Sequence, residues 1–471
     1  MLCPDQPYRS NQGAVIIDSM VTFVGPLTAG AIIEPACIVP FDLAANGYVE
    51  EEFLAAGEAS GYDLAGEAAS DGHWTTVAAE PASYRTRVVV RRPADGRQFS
   101  GTVLVEWLNV SSGFESDPDW AFLHEEILRA GHAYVAVSAQ ALGVMGGLGI
   151  INPAGPPAPG LRASDPARYG SLSHPGDRYS FDLFRQIGQA MRDLAPAVSV
   201  LGGLRPASVL AIGESQSAIY LTSYINAVQP LTPVFDGFLV HSRGADAASL
   251  TGDPIGPASG TVRALIRTDN AAPVLVLEAE GDLFPPLDFW LARQPDGDRF
   301  RLWEMAGTSH ADRYLVGDAA ELLGCDWPIN EGPHRFVAQA ALHALNAWVT
   351  EGTLPPGAAR IELESSRLAR VARDPAGIAI GGVRTPAVDV PVVTLSGEGP
   401  AGRAALGWLF GSTTPLAAGE LARRYGDEAG YLRAYTESLD AAIKAGFLLP
   451  AHREQLLAEA AAVAFPSAAS A

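Results

Sequence analysis

One stretch near the middle of the chain constrains the fold more than any other. The apolar run 208–212 predicts a buried strand, and residues 219–228 predict a helix almost directly after it. The turn between them carries Ser215, with the small residues Gly213 and Ser217 two positions before and after it. A strand, a tight turn that presents a serine and a helix are typical of a nucleophile elbow. A serine that only caps the helix explains the same pattern, so residues elsewhere must distinguish the two interpretations.

From residue 101 onward, predicted strands alternate with predicted helices. The strands are 101–107, 133–138, 207–212, 235–240, 273–277 and 300–305, and the helices include 119–130, 180–193 and 333–350. Such alternation builds a mostly parallel sheet with helices on both faces, so the predicted fold class is α/β. Ligands of these sheets bind outside the carboxyl ends of the strands, and Ser215 lies at one such end.

A serine hydroxyl needs a base to remove its proton and an acid to orient that base. The acid candidate is Asp282, a few residues past the strand 273–277, with Glu280 as the alternative. The base candidate is His310, in a glycine-containing loop after the strand 300–305. Loop acids and loop histidines are usually solvated, but an ordered serine, acid and histidine at three strand ends rarely arise by chance.

The oxyanion that forms in such a reaction needs backbone donors. One donor is expected to be the N–H of Gln216, the residue after the serine. The second should come from the loop after the strand 101–107, where either Asn109 or Val110 qualifies. Asn109 is explained equally well as a turn residue that bonds its own backbone.

Three further polar residues have structural interpretations. Arg243 follows the strand 235–240 and suits a substrate carboxylate, although a structural salt bridge is the favoured interpretation. His334 and His343 fall in the predicted helix 333–350, where a structural role is the simpler explanation.

The balance of charge disfavours some classes of partner. With 53 acidic and 32 basic residues the net charge is −21, so the surface repels nucleic acids and anionic membranes. A small molecule is the expected partner, and the sequence leaves the oligomeric state open. Neither a phosphate-binding glycine loop nor a cluster with metal-ligand spacing occurs in the sequence, so no cofactor and no metal are expected.

The cysteines and the hydrophobic pattern predict a cytoplasmic protein. Cys3, Cys37 and Cys325 are scattered, which suits a reduced compartment, although a bridge between Cys37 and Cys325 is compatible with the sequence. The first 20 residues lack a signal-peptide pattern. No run of about 20 apolar residues suggests a membrane span.

Three regions are expected along the chain. Residues 1–84 form a β-rich extension, 85–355 the α/β core, and 356–471 a C-terminal extension packed on that core. Within the core, residues 141–178 are rich in glycine and proline and are interpreted as a lid-like loop. The first 80 or so residues either join the edge of the central sheet or form a separate module.

Predicted short elements are strands at 15–17, 21–24, 31–33 and 47–53, a hairpin of 85–92 with 101–107, an extended run at 387–393, and helices at 416–425, 429–445 and 451–464.

Several segments together resemble a bacterial family known as "alpha/beta hydrolase domain-containing" proteins. The similarity covers nearly the whole chain, and its segments are 47–53, 106–110, 137–140, 213–218, 236–243, 300–310 and 446–450. In that family the form Gly-Glu-Ser-Gln-Ser at the turn is usual. The resemblance implies an α/β-hydrolase fold and serine-dependent hydrolysis.

The expected activity is hydrolysis of a carboxylic ester through an acyl-enzyme, with Ser215, Asp282 and His310 as the catalytic triad. Amidase, lactonase and acyltransferase reactions would use the same residues, and the sequence does not separate them. A non-catalytic binding protein on a hydrolase scaffold is the alternative of a different class.

Overall fold

The computed structural model describes residues 21–36, 42–151, 155–253, 255, 262–317, 325–365, 370–400 and 406–465. The predicted strand at 15–17, Cys3 and Cys37 lie outside these ranges, and Cys325 is a buried free thiol. Among the described helices, none is long and apolar enough to cross a lipid bilayer.

Nine strands form the central sheet, in the order β1-β2-β3-β5-β4-β6-β7-β10-β11. The pairs β8–β9 and β12–β13 form two small antiparallel ladders of their own. The described strands are β1 (Thr22–Val24), β2 (Tyr48–Leu64), β3 (Thr76–Pro93), β4 (Thr102–Trp107), β5 (Ala133–Val137), β6 (Ser208–Glu214), β7 (Gly237–His241), β8 (Asp246–Ala247), β9 (Val262–Arg263), β10 (Val274–Ala279), β11 (Phe300–Met305), β12 (Val393–Ser396) and β13 (Ser412–Pro415).

Six neighbouring strands of this sheet run parallel to one another, namely β5, β4, β6, β7, β10 and β11. Their carboxyl ends therefore lie along a single edge of the sheet. Ser215 follows β6, Asp282 follows β10 and His310 follows β11, so the topology brings the three residues to this same edge.

The N-terminal β-rich residues continue the central sheet. β2 pairs with β3 in an antiparallel hairpin that begins with Tyr48 opposite Pro93, and β3 pairs with β5. The predicted hairpin of 85–92 with 101–107 is wrong, because both edges of β4 are taken by the parallel strands β5 and β6. The predicted boundary at residue 84 falls inside β3, and residues 31–33 form no strand.

Helices cover both faces of the sheet. The region 141–178, predicted as a lid-like loop, contains three short helices, α2 to α4. The described helices are α1 (Pro118–Ala130), α2 (Ala141–Met145), α3 (Gly160–Ser164), α4 (Pro166–Tyr169), α5 (Ser180–Arg192), α6 (Leu194–Val200), α7 (Gln216–Ala227), α8 (Arg313–Val316), α9 (His334–Glu351), α10 (Pro386–Asp389), α11 (Gly407–Phe410), α12 (Ala418–Tyr425), α13 (Glu428–Ala445) and α14 (Arg453–Ala461).

Strand β6 illustrates why the central strands read as unbroken apolar runs. Val209 and Ala211 belong to the cluster formed with α5 and α7, whereas Leu210 and Ile212 belong to the cluster formed with α1 and α9. Successive side chains of a strand point to opposite faces. A strand with helices on both faces therefore needs apolar residues at every position.

The C-terminal helices pack on the same face as α9, since Tyr435 of α13 and Leu456 of α14 belong to that buried cluster. The extended run predicted at 387–393 is wrong over its first half, where α10 forms. Proline has the φ angle of a helix and needs no N–H at the first helical position, so Pro386 starts this helix. Strand β12 begins only at Val393.

Candidate active site

Ser215 lies in a strained turn between β6 and α7. Its φ of 59° and ψ of −120° are rare for a residue with a side chain, and such strain is concentrated at functional sites. The Ser215 N–H donates to the carbonyl of His241 at 2.9 Å, which fixes the turn to β7. A Cβ atom on Gly213 would lie 3.2 Å from Cβ of Ser217, which explains why small residues flank the serine.

Three side chains form a continuous line of hydrogen bonds at this turn. His310 Nε2 lies 2.7 Å from Ser215 Oγ, and His310 Nδ1 lies 2.6 Å from Asp282 Oδ1. The other carboxylate oxygen of Asp282 accepts the N–H of Ala279 at 2.6 Å. Asp282 and His310 are buried, whereas Ser215 is partly exposed, so the serine end of the line is the one open to a substrate.

The electrostatics of the line favour an ionised acid and a strong base. Burial alone would raise the pKa of Asp282, but the charge and hydrogen bond of His310 hold that pKa below its ordinary value. Burial acts to lower the pKa of His310, yet the Asp282 and Glu214 carboxylates raise it to about 9. This arrangement suits a base that takes up a proton from Ser215.

Glu280, the alternative acid, is fully buried but does not contact His310. One of its oxygens accepts a hydrogen bond from the Gly307 N–H at 2.8 Å. The other accepts hydrogen bonds from the Arg373 guanidinium at 2.7 Å and from the Gly397 N–H at 3.0 Å. Glu280 therefore ties the histidine loop to the residues that follow the core, whereas Asp282 holds the imidazole.

Glu214, the residue before the serine, belongs to the site and was missed from the sequence. Its Oε1 lies 3.4 Å from His310 Nε2, the same nitrogen that contacts Ser215. Burial is the main cause that raises the pKa of Glu214 to about 8, while the charge of His310 acts to lower it. Its place between Gly213 and Ser215 was its sequence signal, but the nucleophile-elbow pattern leaves that position unspecified.

The loop after β4 contradicts one prediction for the oxyanion donors. The Asn109 N–H donates to the carbonyl of Ser116 at 2.9 Å, so it is already paired within its own loop. The Val110 N–H instead makes a longer bond of 3.3 Å to the Gln216 side chain. Gln216 is the first residue of α7, and the first N–H groups of a helix have no partner within the helix.

Arg243 is fully buried and binds backbone carbonyl groups. Its Nε donates to Gly244 at 2.8 Å, and a terminal nitrogen donates to Ala264 at 2.6 Å. Burial lowers the pKa of Arg243 to about 10, against the charge of Glu278. These contacts brace the loop after β7, so the side chain does not reach out toward a ligand.

Apolar side chains lie beside His310 and on the loops that follow β4 and β5. The Trp408 ring lies 5.7 Å from the His310 ring, between centroids. Phe114, Leu148 and Ile150, which we name the apolar rim, are 50%, 51% and 40% exposed. The two loops that carry them touch, since the Ile151 N–H donates to the Ser111 carbonyl at 3.1 Å. Within the described ranges, no group of three His, Cys, Asp or Glu side chains is arranged to hold a metal ion.

Comparisons with known proteins agree with this architecture. A family model described as "Alpha/beta hydrolase domain" matches residues 23–458. No curated protein matches the sequence.

Three solved structures show distant likenesses to this chain. An α/β serine hydrolase without a lid from Xanthomonas campestris is 14% identical, with 56% of this chain and 90% of that chain covered and a TM-score of 0.31. A putative dienelactone hydrolase from Klebsiella pneumoniae is 15% identical, with 63% and 99% covered and a TM-score of 0.31. An α/β serine hydrolase homologue from Coxiella burnetii is 11% identical, with 51% and 88% covered and a TM-score of 0.27. Likenesses at this level say nothing about substrate.

Proposed function

Because this chain belongs to the alpha/beta hydrolase family, we propose that it is a serine hydrolase that cleaves a carboxylic ester through an acyl-enzyme. The observation that carries the proposal is the line from Ser215 Oγ through His310 to Asp282, with contacts of 2.7 and 2.6 Å. A serine, a base and a buried acid in this arrangement are what nucleophilic catalysis at a carbonyl requires.

In the first half of the reaction, Ser215 Oγ attacks the carbonyl carbon while its proton passes to His310 Nε2. The carbonyl oxygen becomes an oxyanion, which the Gln216 N–H stabilises. The imidazolium then gives its proton to the leaving alcohol, and the ester bond breaks to leave an acyl-enzyme. Asp282 stabilises the imidazolium and keeps Nε2 facing the serine.

In the second half, His310 takes a proton from a water molecule that attacks the acyl-enzyme carbonyl. The same proton returns to Ser215 Oγ as the acid is released, so atoms and charges balance over the cycle. For the second oxyanion donor we propose the Val110 N–H in place of the Asn109 N–H. Its bond to the Gln216 side chain is long, at 3.3 Å, so a substrate oxygen can replace that side chain at small cost.

An amidase reaction would use the same triad, with an amine in place of the alcohol as the leaving group. Lactonase and acyltransferase reactions remain compatible with the same residues, because both pass through the same acyl-enzyme. The reaction calls for no cofactor.

The proposed setting is a small-molecule substrate in the cytoplasm. The net charge of −21 opposes binding to polyanions. The free thiol of Cys325 supports a reducing compartment.

The test is labelling with a fluorophosphonate probe, read by intact mass, on wild type, Ser215→Ala and the control Ser111→Ala on the neighbouring loop. We expect one adduct on wild type and on the control, and none on Ser215→Ala. A folded wild-type protein that takes no adduct would favour a non-catalytic binding protein on this scaffold. An adduct on Ser215→Ala would show that another residue is the nucleophile.

A further inference from the structure

The line from Ser215 through His310 to Asp282, which we name the catalytic line, has a second row of hydrogen bonds beside it. Asp119 Oδ1 lies 2.8 Å from His241 Nδ1, and His241 Nε2 lies 2.7 Å from His334 Nε2. His334 Nδ1 lies 3.1 Å from the carbonyl of Ser309. The side chains come from α1, the end of β7 and the start of α9, and all three are completely buried.

The positions of the protons in this row follow from its partners. A backbone carbonyl can only accept, so His334 Nδ1 carries a proton, and the Nε2 of a neutral His334 is then an acceptor. His241 must donate to it from Nε2. The remaining contact, between His241 Nδ1 and Asp119, then holds one further proton. The row therefore has one direction, from Asp119 through His241 and His334 to Ser309.

Burial keeps the groups of this row uncharged. Burial lowers the pKa of His241 to about 3 and lowers that of His334 well below its ordinary value, whereas it raises that of Asp119. Among the described residues, the charged groups that act on both histidines are Asp282, which raises their pKa values, and His310, which lowers them. A neutral row with one direction stays intact over the pH range in which His310 itself titrates.

A metal ion does not explain the two histidines. Imidazole nitrogens bind zinc at about 2.0–2.1 Å, so two nitrogens on one tetrahedral ion lie roughly 3.3 Å apart. The Nε2 atoms of His241 and His334 are 2.7 Å apart, which is a hydrogen-bond distance.

The row connects the two reacting residues of the catalytic line. The backbone carbonyl of His241 accepts the N–H of Ser215 at 2.9 Å, while its side chain reaches Ser309 through His334. Ser309 immediately precedes His310. We propose that Asp119, His241 and His334 are positioning residues whose neutral hydrogen-bond chain holds the His310 loop in register with the Ser215 turn. This inference rests on the proposed hydrolase activity.

The experiment compares two variants that differ in one donor. His334→Phe keeps the ring that stacks on Phe122, with centroids 4.3 Å apart, but cannot donate to Ser309. His334→Asn loses the ring and keeps an amide N–H near the position of Nδ1. Both lose the contact with His241. The control is His343→Phe, on the exposed side of the same helix.

For His334→Phe we expect kcat for a p-nitrophenyl ester to fall by roughly tenfold to a hundredfold, with KM within about twofold, because the base is displaced from the serine. His334→Asn should recover most of kcat, and His343→Phe should match wild type. Nitrogen NMR of the wild-type histidines should show His334 protonated on Nδ1 and His241 on Nε2, unchanged across the pH range of activity.

Three results would overturn the inference. They are equal kcat values for His334→Phe and His334→Asn, a His334 that titrates near the ordinary histidine pKa, and a stoichiometric metal in the purified protein. The fluorophosphonate result separates this outcome from failure of the proposed function. If labelling depends on Ser215 but the two His334 variants behave alike, the positioning role of the hydrogen-bond row is refuted and the hydrolase activity is not.

Discussion

Replacing Glu214 by glutamine should move the acid limb of the pH profile. The carboxylate lies 3.4 Å from His310 Nε2, and with Asp282 it raises the pKa of His310 to about 9. Glutamine keeps the shape of the side chain and removes its charge. The pKa of His310 then falls, so the neutral base is populated at lower pH. The increase of kcat/KM with rising pH should therefore begin at a lower pH than in wild type.

The size of the shift follows from the distance. Two unit charges about 4 Å apart interact by about 1 kcal/mol in water and by about 4 kcal/mol at an effective dielectric constant of about 20. One pKa unit corresponds to about 1.4 kcal/mol, so an ionised Glu214 raises the pKa of His310 by about one to three units. The pKa of Glu214 is itself about 8, so this group is only partly ionised below that pH. We therefore expect the lower end, a shift of about one unit.

The assay is kcat/KM against pH for wild type, Glu214→Gln and the control Asp312→Asn. Burial raises the pKa of Asp312 to about 7, so this acid titrates in the same range, but it bonds the N–H of Leu315 rather than His310. The plateau rate of Glu214→Gln should fall by a few-fold, because the imidazolium loses a counter-charge. An unchanged limb in Glu214→Gln, or a limb that moves with Asp312→Asn instead, would refute the reasoning.

Three further comparisons between variants give separate expected outcomes. Asp282→Asn should lower kcat by roughly 10³–10⁴-fold. Glu280→Gln should instead lower Tm, because it removes the ion pair with Arg373, and should leave kcat within about tenfold. The reverse ranking would make Glu280 the acid. Gly213→Ala should lower the free energy of unfolding, measured with urea, by about 1–3 kcal/mol, because its Cβ would lie 3.2 Å from that of Ser217. The control is Gly297→Ala, whose Cβ meets no atom within 4 Å. Leu148→Ser in the apolar rim should lower kcat/KM for p-nitrophenyl octanoate by a few-fold and leave the acetate ester unchanged; Val77→Ser, 53% exposed on β3, should change neither.

The parallel core was predictable because its signals are local. The parallel core consists of β4, β5, β6, β7, β10 and β11, each of them a short and mostly apolar run, and β11 has the same bounds as the predicted strand 300–305. The order of Ser215, Asp282 and His310 along the chain was also visible, because each follows a strand end. Their roles stay a prediction, but the structure brings the three side chains together.

The remaining features depend on pairing between distant segments. Nothing local in 85–92 says that β3 will pair with β2 and β5 rather than with β4. The sequence does not reveal that the Asn109 N–H is already paired, because its partner, the Ser116 carbonyl, lies seven residues on and is reached only when the loop closes. The contact of His241 with His334 joins residues 93 positions apart, so no spacing pattern could announce it.

Burial also explains how one acid is selected from several at this edge of the sheet. Desolvation raises the pKa of four acids in or beside the core strands, namely Glu106, Asp119, Glu214 and Glu278. Asp282 is equally buried, yet its pKa is lowered, because His310 and the Ala279 N–H stabilise its charge. Neutral acids attract an imidazolium weakly, so Asp282 supplies most of the charge that holds His310 in place. The hydrogen bonds that let Asp282 stay ionised thus support the proposal, made from its strand-end position, that it is the triad acid. Among the described residues, Glu214 is the other carboxylate that raises the pKa of His310.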